Sequence, residues 1–453
     1  MATRRRQGAL FFAAAVLVAA VVVVLLARGA GNGEPRRLAP GRGATATTKD
    51  PFAYDPARQK DFEQRAAAGL AHVLYDKSPG GVIATAQRTA RFRPLIDQVA
   101  KRGGVDPNTL EAIVFLESAG RPDARASNDL TSAVGLTQIL AETGTSLLGL
   151  KVDVAGSERL TRRLARGGPV GRIRTLEARR RRIDERFDPR RALEGTARYL
   201  KFAKDKLGRD DLAIASYHMG VGNLQRALSR YGQTDVPYAQ LFFDSTPLRH
   251  APAWQFLASL GDDSSTYLWR IGAAKDIMSL YRKDPKKLAR TAVLQGAPSA
   301  EQVLRPPGTP RFADDRSLRT RDLVLVDGPG IRLSRALAAA PAGRRALRED
   351  TVALLRYLSV GVYEISKTQP LVITAATRSV KDESGFDHGI EAAPSMHTTG
   401  YAFDISRRYR SGAQAQALQF WLDRLTALDV IAWVREPDRI HVTVGPYAHD
   451  LPR

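Results

Sequence analysis

The pattern of apolar residues changes along this chain, and that change constrains the fold more than any other feature. From residue 56 to 260 apolar side chains recur at helical spacing, one helix after another. After residue 336 a predicted helix over about Ala346 to Ser366 leads into short β-branched runs. These are Leu371-Val372-Ile373-Thr374, then Ala402 to Ser406, Val430 to Val434 and Ile440 to Val444. The chain therefore predicts an all-α unit followed by an α+β unit. Its 453 residues are enough for two or three such cores.

The N-terminus sets the expected compartment. Arg4, Arg5 and Arg6 precede an unbroken small-and-apolar run from Gly8 to Ala27, which Arg28 ends. About 20 apolar residues span a bilayer as a helix, and the basic flank stays in the cytoplasm. The run is longer than the roughly 7–15 residues of a cleaved signal. Residues 1–28 thus predict a signal anchor: a single-pass, N-terminal transmembrane helix with the remaining chain outside the cytoplasm. Residues 29–85 read as a linker and a lead-in helix, because 29–55 are rich in Gly, Pro, Arg, Ala and Thr. The expected domains are then 86–260 and 336–453. Between them, 261–335 combines a helix from Tyr267 to Tyr281 with a Pro-rich connector.

Lys plus Arg is 69 and Asp plus Glu is 47, for a net charge of +22. Such a balance points to an anionic partner. Residues 150–186 form an Arg-rich insertion, readable as a solvated helical hairpin or as a cationic arm gripping an anionic polymer. No recognised nucleic-acid module is present, so nucleic acid is not the expected partner. The chain has no cysteine. That excludes disulfides, thiol nucleophiles, Fe–S clusters and Cys-ligated zinc; any zinc must sit on His and Asp or Glu.

Three strings lie in order in the helical unit: Glu117-Ser118-Ala119-Gly120, Gly135-Leu136-Thr137-Gln138-Ile139 and Ser216-Tyr217-His218-Met219-Gly220. Asp106-Pro107 reads as an N-cap with Pro at the first helical position, and Gly120 and Pro122 stop the helix. Glu117 follows Ile113, Val114, Phe115 and Leu116 and sits near a helix C-terminus. Apolar neighbours and the negative end of the helix dipole both raise a carboxyl pKa. Such a group stays protonated near neutrality and serves as a general acid.

In order and spacing the strings resemble the lytic transglycosylase (SLT-like) domain of goose-type lysozyme fold, over about residues 88–245. The resemblance implies cleavage of the β-1,4 bond between N-acetylmuramic acid and N-acetylglucosamine in peptidoglycan, with no cofactor. Glu117 would protonate the leaving oxygen and then act as base on the muramic C6 hydroxyl, closing a 1,6-anhydro ring. It also implies that Ser118 orients the sugar or Glu117, that Gln138 contacts substrate, that Tyr217 hydrogen-bonds near Glu117, and that His218 lends polar support. Thr137, Ser216 and His218 depart from the family's Met, Ala and Asn. Goose-type hydrolysis, with water as the attacking group, is the alternative the same fold allows.

In the C-terminal unit Ser395-Met396-His397-Thr398-Thr399-Gly400-Tyr401-Ala402-Phe403-Asp404 is followed by Ile440-His441-Val442. Two imidazoles and a carboxylate suit Zn²⁺ and leave a place for water. This pattern resembles the zinc D-Ala-D-Ala carboxypeptidase and L-Ala-D-Glu endopeptidase family, which shares its α+β fold with the Hedgehog signalling domain. The resemblance covers about residues 345–447. It implies His397, Asp404 and His441 as zinc ligands, Arg378 as the group stabilising an oxyanion or substrate carboxylate, and Ser395 as a substrate contact. Asp438, three residues before the last His, would be the general base, with Glu436 as the alternative.

Both resemblances point to peptidoglycan, and the basic charge suits anionic wall polymers. The expectation is a membrane-anchored enzyme with a glycan-cutting and a peptide-cutting unit. The competing expectation is a non-catalytic wall-binding scaffold with a degenerate peptidase domain.

Overall fold

The computed structural model of the protein describes residues 33–38, 50–383 and 395–451. The anchor expected over 1–28 lies outside the described residues. Among those described, no helix is long and apolar enough to cross a membrane. The chain divides into a helical unit, residues 52–303 with 424–429, and a second unit built mainly from 304–423 and 430–453.

The helical unit is larger than its apolar pattern implies. Helix α1 (Gln59–Gly69) precedes α2 (Pro107–Ser118). Helices α3 (Val154–Ala165) and α4 (Val170–Ile183) follow, and then α5 (Pro189–Leu207) and α6 (Asp210–Met219). Helix α7 (Tyr267–Lys283) closes against α2 and α1. At its crossing with α1, a Cβ on Gly272 would meet the Ala67 Cβ at 3.0 Å, so the two helices are in near-backbone contact. Phe243 packs edge-on against Phe62, and Trp269 lies against Phe243. Residues 261–303, expected to be connector, therefore belong to this unit. The α7 sequence carries Trp269, Ile271, Ala274, Ile277 and Met278 to the core, and burying them is what recruits it.

The Arg-rich insertion is a helical hairpin, α3 against α4, and two of its region's arginines are structural. Arg180 is buried with its guanidinium 3.9 Å from the centre of the Phe187 ring and donates to Thr161 Oγ1. Arg186 is fully buried. It pairs with Asp184 at 2.9 Å and donates to the carbonyls of Leu130, Ser132 and Ile139. It thereby clamps the loop that carries Gln138. Removing one member of a buried, hydrogen-bonded pair strands the other. Arg186→Met is expected to lower stability by about 3–5 kcal/mol, read as a shift in urea unfolding, whereas exposed Arg163→Gln should stay within about 0.5 kcal/mol.

The second unit is α+β, as its pattern predicts. Strand β1 (Leu323–Leu325) pairs with β3 (Ala346–Arg348). The main sheet has the order β2-β4-β5-β7-β6. Its members are β2 (Ile331–Leu333), β4 (Leu371–Ala375), β5 (Ala402–Ser406), β6 (Ile431–Arg435) and β7 (Arg439–Val444). β2 and β4 are parallel and the other pairs antiparallel. Helix α8 (Glu349–Ser366) supplies Val352, Leu355, Leu358 and Val362 to the core. Part of the expected linker joins this unit: Arg36 exchanges backbone hydrogen bonds with Leu323 and Leu325, adding a bridge beside β1.

Candidate active site and candidate metal centre

Helix α2 is capped by Asp106, whose carboxylate accepts from the amides of Asn108 and Thr109, with Pro107 at the first position. The helix ends at Ala119, held in the left-handed region at φ 54°. Gly120 continues the turn at φ 72°, where a Cβ would lie 2.6 Å from the Thr89 amide nitrogen. This close approach is why the first string ends in glycine. The turn leaves Glu117 on the wall of a cleft of about 230 Å³. Val73, Leu74, Phe115 and Leu116 supply its apolar lining, and Lys77, Arg121 and Arg270 supply its cations. Glu117 is the only carboxylate among the described residues that line it.

Burial pushes the Glu117 carboxyl up to about 7, against the hydrogen bond from Tyr267, which favours the ionised form. Tyr267 Oη donates to Glu117 Oε1 at 2.7 Å. The Tyr267 ring stacks on Tyr217, with centroids 6.2 Å apart, and on His218 at 5.3 Å. Tyr267 comes from α7, so sequence reading placed it in a connector and missed it. The helical stretch from Tyr267 to Tyr281 was visible; its destination was not.

Several expected roles move. The hydroxyl expected to reach Glu117 from Tyr217 instead donates to the Thr137 carbonyl at 2.8 Å and meets Thr196 Oγ1 at 3.2 Å. Tyr217 thus ties α6 to the loop of the second string. Ser118 is buried and its hydroxyl donates back to Val114 O within α2, which leaves it satisfied inside the helix rather than turned to a sugar. Gln138, at φ 51°, donates its amide to Gly135 O at 2.9 Å and to Ala124 O at 3.2 Å. It braces its own loop. Gly135 is needed because a Cβ there would lie 1.9 Å from Arg186 O. His218 bonds Ser264 Oγ through Nδ1 at 2.8 Å. Burial, aided by the Arg270 charge, holds it below the usual imidazole range, so it is a neutral support behind Tyr267.

In the α+β unit β5 and β7 bring Asp404 and His441 into register as direct cross-strand partners. His397 arrives from the short turn Met396–Thr399. Asp404 Oδ1 lies 3.0 Å from His397 Nε2 and 2.9 Å from His441 Nδ1. The three donor atoms lie within 4.8 Å of one another. His397 Nδ1 is 2.7 Å from the Ala376 carbonyl, so this nitrogen carries the proton and donates it.

Burial lowers the His397 pKa and keeps the ring neutral. Burial opposes ionisation of Asp404, yet the His397 and His441 side chains beside it together outweigh that and hold the carboxyl well below the usual range. His397 Nε2, His441 Nδ1 and Asp404 Oδ1 thus form one compact set of imidazole and carboxylate donors. This donor set fits a metal ion, and the bond to Ala376 is the orienting contact that ligating histidines need.

Around this cluster, Arg378 donates its backbone amide to His397 O and lies 3.8 Å from Glu383. Ser395 Oγ accepts from the His397 amide, capping the turn rather than facing outward. Glu436 and Asp438 both sit in the β6–β7 hairpin, and both pair with Arg439. Arg439 also reaches Asp404 Oδ2 at 3.3 Å. Sequence reading passed over it. Its place two residues before His441 on a strand was the available signal, because such residues share a face.

With this geometry in hand, comparison with known proteins finds that residues 172–237 match the transglycosylase SLT domain family. That span contains Tyr217 and His218 and begins after Glu117. The membrane-bound lytic murein transglycosylase F 1 of Alkalilimnicola ehrlichii is 24% identical over 242 residues, 51% of this chain and 42% of that protein. The chain thus spans less than half the length of that relative.

Proposed function

We propose that the helical unit cleaves the β-1,4 bond between N-acetylmuramic acid and N-acetylglucosamine in peptidoglycan, forming a 1,6-anhydro product. The observation that carries this reading is Glu117: a lone cleft carboxyl, lifted to about 7 by burial and oriented by Tyr267. Protonated Glu117 gives its proton to the glycosidic oxygen as the bond to muramic C1 breaks. The carboxylate so formed takes the proton of the C6 hydroxyl as O6 bonds to C1, which restores the acid. A conventional glycosidase needs a second carboxylate as nucleophile or base. Here the substrate supplies the nucleophile, so one suffices. The SLT match and the relative's printed name support the same chemistry.

We further read the α+β unit as a zinc peptidase acting on the stem peptide, with His397, Asp404 and His441 holding the ion. When bound, zinc supplies Lewis-acid activation for peptide hydrolysis. The chain's own residues keep Asp404 ionised and turn His397 Nε2 inward. Arg378 offers a cation to a substrate carboxylate, and Glu436 or Asp438 takes up a proton. Membrane attachment through residues 1–28 and contact with anionic wall polymers belong to this reading.

Mass spectrometry of purified peptidoglycan treated with the protein tests it. Products ending in 1,6-anhydromuramic acid are expected, with shortened stem peptides when zinc is supplied. Reducing ends instead would mean hydrolysis by water. Neither product from folded protein would make the chain a binding scaffold. Tyr267→Phe removes the one hydrogen bond that favours ionised Glu117, so the alkaline limb of the pH–rate profile should move up from about 7. An unmoved limb would deny Tyr267 this role.

A further inference from the structure

The hairpin α3–α4, residues 154–183, holds ten arginines, two glutamates and no lysine. It therefore carries eight of the chain's 22 excess positive charges in 30 residues. Nine of the ten arginines are exposed, and only Arg180 is buried. On α4 the exposed arginines run from Arg172 to Arg182, about 15 Å of helix. The two glutamates offset little: Glu158 and Glu177 each approach one arginine at 3.8 Å.

The apolar faces of both helices are already used. Leu160 and Leu176 are buried, and Ile173 and Ile183 are half-buried. The outward faces carry arginine, alanine and glycine, with Val170 alone as a large exposed apolar side chain. A helix that lies in a lipid surface needs an apolar face free to insert, and none is free here. Nor does the hairpin hold an aromatic ring to stack on a base or an amide side chain to read one. What remains is a rigid array of guanidinium forks, the group that matches carboxylates in pairs of hydrogen bonds.

The base of the hairpin is tied to the loops that follow α2, the helix of Glu117. The backbone amide of Asp153 donates to Ile183 O and that of Glu185 to Lys151 O, closing its base. Next to that base, Arg186 clamps the Leu130–Ile139 loop. Arg125, four residues beyond the cleft residue Arg121, bridges to Val134 in that loop.

We propose that the α3–α4 hairpin is a docking surface for the carboxylate-bearing stem peptides of the glycan strand engaged at Glu117. This deepens the glycan-cleaving reading and rests on it. The strand is held by its acidic stems while the cleft holds its sugars, so the enzyme favours peptide-bearing over bare glycan.

The test compares intact sacculi against the glycan strands left when an amidase strips their stems, both tethered to beads, in a pull-down assay with the full chain. The variant replaces five exposed arginines together: Arg162→Gln, Arg163→Gln, Arg172→Gln, Arg174→Gln and Arg179→Gln. Circular dichroism and product formation from a peptide-free oligosaccharide check that the variant's fold and cleft are unchanged. Wild type should bind intact sacculi at least tenfold more tightly than stripped strands, and salt should weaken the difference. The variant should lose that preference and bind stripped strands as wild type does.

Equal wild-type binding to both preparations would overturn the proposal. So would a variant that binds intact sacculi undiminished, or tighter wild-type binding to phosphatidylglycerol vesicles than to sacculi. Anhydro products are scored separately in the same samples. Products with no stem preference sink the docking surface alone, whereas no products from wild type sink the catalytic reading beneath it.

Discussion

Glu117→Gln should abolish release of anhydro-muramic products, with a loss of at least about 10²–10⁴-fold, the range that one positioned acid–base group supplies. The larger end is expected because the same carboxyl serves both proton transfers. Gln keeps the shape and the capacity to accept from Tyr267 but cannot give up a proton to a leaving oxygen. A variant that still releases these products at the wild-type rate would remove Glu117 from the mechanism.

The same substitution makes a stability prediction of definite sign. The Glu117 pKa is raised from 4.5 to about 7 on folding. The folded state therefore binds more protons than the unfolded state between those values, and wild-type stability falls as pH rises through that window. Gln does not ionise. Wild type and Glu117→Gln should melt together near pH 4, and the variant should melt higher at pH 8. Parallel melting curves across that range would show that Glu117 is not held near neutrality.

His397→Ala should drop bound zinc from about one ion per chain to a small fraction, measured by elemental analysis after dialysis. Three protein ligands are the usual minimum for a catalytic zinc. Removing His397 leaves two, and frees the Ala376 carbonyl that orients the ring. Chelator should lower the melting temperature of wild type, because a ligand that binds only the folded state stabilises it by mass action. It should leave His397→Ala unmoved. Unchanged zinc content in the variant would sink the ligand set. Glycan cleavage should survive in His397→Ala, because Glu117 belongs to the other unit.

Local rules carried much of the fold into the sequence. Asp106-Pro107 starts α2 as read, and the predicted stop falls at Ala119-Gly120. The helix predicted from Tyr267 to Tyr281 forms as Tyr267–Lys283. The strand runs at 371, 402, 430 and 440 become β4, β5, β6 and β7. Caps, prolines and side-chain periodicity act over a few residues, so a linear reading captures them. The same holds for the raised acid at Glu117, whose apolar neighbours adjoin it in sequence.

The partners of the site residues were settled elsewhere. Tyr267 stands 150 residues from Glu117 and meets it because α7 buries its apolar face against α2. Tyr217, Gln138 and Ser118 sit in family-like strings, yet each spends its polar group on a nearby carbonyl. Such groups must be satisfied once buried, and which acceptor lies within reach depends on packing. Arg439 joins the His397–Asp404–His441 cluster only through strand register, and Arg186 changes from one of many arginines into a clamp only when the loop closes over it. The sequence by itself determined the class of each unit and brought Glu117 and the His397, Asp404 and His441 set into view, because those follow from short-range pattern. Only the tertiary structure decided which side chain orients which, because long-range contacts are chosen by burial and by the hydrogen bonds that burial makes obligatory.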